Sequence, residues 1–155
     1  MLSKKAKYAL KAMMMLSRQL PGKPFLISEI AETEGIPKKF LEMILLELKK
    51  SGMLQSKKGK GGGYFLAREP ALITFGQVIR IIDGPLAPLP CVSHTAYMRC
   101  EECADENACG IRLVMKEVRD STARILDGTS FSEAVQRVDS AVRQTTRSGP
   151  GGRKG

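Results

Sequence analysis

Tryptophan is absent from the 155 residues, and aromatic residues make up only 5% of them. The core is therefore left to aliphatic side chains, with the eight methionines as adaptable filler rather than a metal box. Histidine occurs once, at position 94, inside the only cluster of cysteines. No nucleophile stands beside a general base, so nothing points to an enzyme. No apolar run is long enough to span a bilayer. The apolar stretch at residues 9–16 is interrupted by Lys11 and is followed by no small-residue cleavage site, so it does not read as a secretory signal. The expectation is a cytosolic chain without membrane contact, in which clustered thiols act as ligands or redox groups rather than structural disulfides.

What is present is basic charge, unevenly spread. Residues 1–90 carry fifteen Lys/Arg against seven Asp/Glu, a net of +8. Residues 91–128 carry five against seven, a net of −2, and residues 129–155 five against two, a net of +3. A basic N-terminal block followed by an acidic middle suits a polyanionic partner for the first part, with nucleic acid ahead of a membrane surface.

Hydrophobic periodicity predicts a helix over residues 2–19, with lysines 4, 5, 7 and 11 opposite the apolar face and Pro21-Gly22 ending it. A short helix follows at 28–35, capped by Ser28 and stopped by Gly35. Pro37 opens the next, in which Phe40, Leu41, Ile44, Leu45 and Leu48 fall at helical spacing up to Gly52. Two helices joined through a tight glycine-containing turn form a helix-turn-helix pattern.

Residues 53–56 and 64–66 read as short strands around Lys57-Lys58-Gly59-Lys60-Gly61-Gly62-Gly63. A basic, glycine-rich hairpin directly after a helix-turn-helix reads as a wing. Glycine permits close backbone approach to a phosphate or a minor groove, and the lysines attract it. A phosphate-binding P-loop does not fit, because a strand rather than a helix follows the glycines. Thr74 and Gln77 form a capping box for a helix through Ile82, after which a proline-rich connector runs to Pro90.

The expected architecture is mainly α with a small β-wing: a winged helix-turn-helix domain at 1–84, a connector and cysteine sensor loop at 85–109, and a dimerisation helix plus terminal helix at 110–144. A disordered basic tail is expected at 145–155. In the dimerisation helix, Ile111, Val114, Met115, Val118, Thr122, Ile125 and Leu126 form one apolar stripe. A second copy of that helix is the economical cover, with folding back on its own domain as the other option.

The four cysteines are Cys91, Cys100, Cys103 and Cys109, spaced x8, x2 and x5. Gathered sulfur donors point to a metal or cluster site. Zinc, an iron–sulfur cluster ([2Fe–2S] or [4Fe–4S]) and a Cys100–Cys103 thiol switch all stay open on spacing alone. His94, three residues from Cys91, is an alternative ligand.

In combination these pieces resemble the IscR/NsrR-type (BadM-like) bacterial winged-helix regulators, from residue 1 to about 140. The matching residues are Tyr8-Ala9-Leu10, Ile30-Ala31 with Gly35-Ile36-Pro37, Phe40-Leu41-Glu42, Leu48-Lys49-Lys50-Ser51-Gly52, Lys57 to Ala67, and Ile81-Ile82-Asp83-Gly84. The resemblance implies a homodimer on an imperfect palindrome of double-stranded DNA, with the helix after Pro37 in the major groove and the wing in the minor groove. It implies DNA contacts at Lys38, Lys39, Glu42, Lys57, Lys58, Lys60 and Gly61, and a cluster in the loop that senses iron–sulfur status, nitric oxide or redox poise. Cys91, Cys103 and Cys109 match three ligand positions of such members. The position three residues beyond the last cysteine, a histidine in one type, is Arg112 here, so Cys100 is the expected fourth ligand. The function implied is a DNA-binding regulator, a repressor, governed by this loop. The other readings are a cluster-free regulator and a zinc or thiol-switch interaction module.

Overall fold

The structure, a computed structural model, describes residues 2–147. Its elements are α1 (Lys4–Leu16), α2 (Ile27–Glu34), α3 (Lys38–Lys50), β1 (Leu54–Lys57), β2 (Gly63–Leu66), α4 (Phe75–Asp83), α5 (Gly110–Gly128) and α6 (Phe131–Arg147), with short 3-10 turns at Pro70–Leu72, Pro90–Val92 and Glu106–Ala108. The chain is therefore mainly helical, with one small antiparallel sheet as wing.

α1 is shorter at both ends than its periodicity predicts. Ser3 accepts from the Ala6 N–H and fixes the start, while Ser17 turns its hydroxyl onto the Met13 carbonyl and closes the last turn. Its inner face, Ala6, Ala9, Ala12, Met13 and Leu16, is buried. The small alanines let α1 approach α3 and α4 closely. Ser28 does not cap α2. The helix starts a residue earlier, where the Glu29 carboxylate accepts from the Leu26 N–H at 3.2 Å. Gly35 ends it with φ 65°, a left-handed conformation that turns the chain into α3. Leu41, Ile44, Leu45 and Leu48 of α3 are fully buried against α1 and α2.

β1 pairs with β2 from Leu54↔Leu66 to Lys57↔Gly63. A one-residue bridge adds Phe25, whose N–H donates to the Tyr64 carbonyl at 2.8 Å while the Tyr64 N–H donates back at 2.9 Å. Gly63 makes this possible: with φ 144°, any Cβ there would lie 1.9 Å from the Phe25 carbonyl oxygen. The loop preceding α2 thereby pairs with the outer edge of β2 close to the hairpin turn.

Beyond the connector the chain returns to the N-terminal core. Thr74 bridges Ser130, the Phe131 N–H donates to the Ile73 carbonyl at 3.0 Å, and Phe131, fully buried, stacks on Phe75 at 4.5 Å. α6 then lies along α1, with Arg18 on Asp139 at 2.9 Å. It continues as helix to Arg147, past the tail onset expected at 145; the rest of that tail, 148–155, lies outside the described residues.

α5 is tied to α4 by the Arg80 guanidinium, which donates to both Asp127 oxygens at 2.6 and 2.8 Å. Gly76 leaves the room, since a Cβ there would meet Asp127 Oδ1 at 1.9 Å. A carboxylate near a helix C-terminus is unfavourable alone; the Arg80 hydrogen bond nevertheless holds Asp127 below the usual carboxylate range, against some desolvation. A depressed folded-state value adds stability that is present above the unfolded value, about 3.9, and is lost as pH falls through the folded one. Asp127→Asn should therefore lower the urea midpoint by a constant amount at neutral pH, with the gap to wild type closing below about pH 4. A gap that persists in acid would assign the loss to something other than the ion pair.

Candidate nucleic-acid interface and cysteine cavity

The helix-turn-helix and the hairpin each present a basic, exposed face. On α3, Lys38, Lys39 and Glu42 are exposed near the N-terminal end, one helical turn from the buried Leu41–Ile44–Leu45 side. None of the three takes part in an ion pair among the described residues. In the wing, Lys57, Lys58, Lys60 and Gly61 are all exposed. Gly59 and Gly61 take φ 90° and 74°, and a Cβ on the buried Gly62 would meet the Lys57 carbonyl at 2.2 Å, so the glycine run is what folds the tip. By contrast, Lys5 of α1 is paired with Glu47 of α3 at 2.5 Å, Lys11 donates to the Glu34 carbonyl, and Lys49 donates to Ser56. Those lysines hold elements together, whereas those of the wing tip are free to meet a polyanion.

The cysteines come together at the base of α5. Cys91, Cys100, Cys103 and Cys109 all line one cavity of about 210 Å³, closed by Leu89, Glu106, Ile111 and Arg112. All four thiols are unpaired in disulfides. Cys91 is buried, Cys103 and Cys109 are half-buried and Cys100 is exposed. Cys109 precedes the first residue of α5, and its sulfur accepts from the Arg112 N–H at 3.5 Å. That backbone donor, with burial opposing, draws the Cys109 thiol below its ordinary value. Desolvation first, then the hydrogen bond with Cys109, pushes Cys103 up. Tyr97 donates to Glu106 Oε1 at 2.6 Å and ties the two limbs of the loop together. His94 is not in the lining; it is exposed, with Nε2 3.9 Å from Asp120.

Among the described residues, no three His, Cys, Asp or Glu side chains are gathered tightly enough to hold a single metal ion. The donor set nonetheless suits an iron–sulfur cluster: all four cysteines line one cavity, with Cys91 in the Pro90–Val92 turn and Cys109 at the start of α5.

A family model described as an iron-dependent transcriptional regulator, Rrf2, matches residues 2–137. The chain belongs to the Rrf2 family. Its members are transcription regulators that bind DNA, not enzymes. The rrf2-like HTH-type regulator of Rhodobacter capsulatus is 41% identical over 146 residues, covering 92% of this chain and 97% of its own. Among solved structures, CymR, the global cysteine regulator of B. subtilis, matches with a TM-score of 0.74 at 27% identity over 88% of this chain and 97% of that one. IscR of T. potens matches with a TM-score of 0.72 at 26% identity over 91% and 90%. The winged-helix fold read from the sequence is thus the Rrf2 fold. No helix among the described residues is long and apolar enough to cross a membrane.

Two arginines of α5 were invisible to the periodicity. Arg119 is buried and donates to the Val92 carbonyl and to Asp120; Arg112 Nε donates to the Cys91 carbonyl at 3.3 Å. Spaced seven apart, they share the helix face that fastens the Pro90–Val92 turn. A signal existed in hindsight: both fall beside the apolar stripe rather than opposite it. The stripe itself divides. Met115, Thr122 and Leu126 are half-buried, whereas Ile111, Val114, Val118 and Ile125 stay exposed. Folding back thus accounts for one edge, against α4 and the Pro90–Val92 turn rather than α1.

Proposed function

We propose that this Rrf2-family regulator is a homodimer that binds an imperfect DNA palindrome under the control of an iron–sulfur cluster held by Cys91, Cys100, Cys103 and Cys109. The observation that carries the reading is the single cavity that all four cysteines line. Its lining supports Cys100 as the fourth ligand over His94, which faces Asp120 instead. An iron–sulfur cluster, when bound, supplies one-electron redox chemistry and sensitivity to oxidants and nitric oxide. The exposed row Ile111, Val114, Val118 and Ile125 supports α5 as the surface for a second copy.

The chain's own contacts supply the coupling. Arg112 and Arg119 attach the Cys91 turn to α5, and Arg80 with Asp127 attaches α5 to α4 of the DNA-binding head. A change in how the loop is ordered is therefore passed through hydrogen-bonded joints to the spacing of two heads. Couplings of this kind typically amount to about 1–3 kcal/mol, or 5–150-fold in affinity. In the DNA complex, Lys38, Lys39 and Glu42 enter the major groove and Lys57, Lys58, Lys60 and Gly61 the minor groove; Glu42 accepts from a cytosine amino group.

Anaerobic purification with visible spectroscopy and assay of iron, sulfide and zinc tests the cofactor. Coloured protein with iron and sulfide in equal amounts is expected, and Cys100→Ser should lose most of both. A colourless protein with stoichiometric zinc would support the interaction-module reading, and one with neither metal the cluster-free regulator.

A further inference from the structure

The outward face of α3 breaks its own amphipathic pattern. Leu41, Ile44, Leu45 and Leu48 are fully buried, yet Met43 is 60% exposed and Leu46 45% exposed. They stand three residues apart, so they are neighbours on one surface of the helix. Lys39 stands four residues before Met43 and Lys50 four after Leu46, both exposed, with exposed Glu42 beside the pair and Glu47 taken up by Lys5. An apolar pair on a solvated helix calls for a contact, and its surroundings identify the contact's chemistry. Lysines at both ends of the pair, with Glu47 already neutralised, attract a polyanion rather than an apolar protein surface. On the floor of the DNA major groove, the apolar group that a base pair presents is the C5 methyl of thymine.

We infer that Met43, backed by Leu46, reads thymine methyl groups in each half-site and is a specificity determinant alongside Glu42. The inference rests on the proposed placement of α3 in the major groove. Met43 follows Glu42 directly, so the two side chains project about 100° apart and address different base edges from one turn of helix. A polar reader and an apolar reader side by side distinguish a cytosine from a thymine, where lysines alone would hold any duplex. Methionine suits the task because its unbranched thioether chain adapts to the position of a methyl group.

Deoxyuridine differs from thymidine only by that methyl, and it keeps the base pair. An operator is first selected from random duplexes with the full-length wild-type protein, and its thymines are then replaced one at a time. At one or two thymines per half-site, wild-type affinity should fall about fourfold for each methyl removed, the factor expected for one buried methyl group. Met43→Ala should bind the unmodified site correspondingly more weakly and lose the penalty at those thymines only. Because the side chain is exposed, its thermal unfolding should match wild type, and Met43→Gln offers a second variant of similar length.

Equal deoxyuridine penalties in wild type and both Met43 variants, or none in wild type, overturn the inference. Lys39→Ala and Glu42→Ala separate this from failure of the underlying placement. If they weaken binding or change the selected sequence while Met43→Ala alters nothing, the methyl reading falls and α3 stays in the groove. If none of the α3 variants has an effect, both fall.

Discussion

Replacing Lys57, Lys58 and Lys60 together with alanine is expected to flatten the salt dependence of DNA binding. Each lysine that neutralises one phosphate contributes about 0.9 to the slope of log affinity against log salt, so the triple variant should lose about 2.7. Between about 50 and 200 mM salt, wild-type binding should then weaken about 40-fold more than that of the variant. The three side chains are exposed, and no ion pair involves them among the described residues. Stability should therefore change by no more than about 0.5 kcal/mol per substitution, which separates a loss of contacts from a loss of fold. Titrations at four salt concentrations suffice. An unchanged slope removes the wing from the DNA interface and leaves the hairpin as a structural turn.

Phe131→Ala should be the most damaging single core substitution in the C-terminal half. Phe131 is fully buried, lies face to face with Phe75, and begins the helix that returns to α1. Truncating a buried phenylalanine costs about 3–5 kcal/mol, against a total stability of about 5–15 kcal/mol for a domain of ordinary size. The urea midpoint should fall accordingly, and Phe131→Leu should recover part of the loss. A change below about 1 kcal/mol would show that α6 is not integrated into the core. The exposed Arg18–Asp139 pair farther along α6 offers a contrast, because removing it should cost at most about 1 kcal/mol.

The helices and hairpin were legible because their signals are local. The Thr74–Gln77 capping box is present as read: the Thr74 hydroxyl accepts from the Gln77 N–H and the Gln77 amide oxygen from the Thr74 N–H. The helix-turn-helix likewise needed only Gly35, Pro37 and the apolar spacing of α3. Boundaries moved where a side chain chose a different backbone partner, as Glu29 does in starting α2 at Ile27. What periodicity could not show were long-range pairings of single residues: Phe25 with Tyr64, Thr74 with Ser130, Phe75 with Phe131. These join segments far apart in sequence, and they make residues 129–131 part of the head rather than a distal appendage. The cysteines were legible as a group by composition. Their gathering around one cavity, and the absence of His94 from it, depend on the path of a loop with little regular structure.

The two arginines of α5 grip the 90–92 turn by its main-chain oxygens, those of Cys91 and Val92, and not by its side chains. Their hold is consequently blind to which residues the turn displays. A lineage could exchange one donor atom for another at position 91, or drop it, and the same attachment would persist. What the loop displays is in this sense separable from its mooring. One scaffold can therefore carry different side chains around the cavity without rebuilding the joint between this turn and α5.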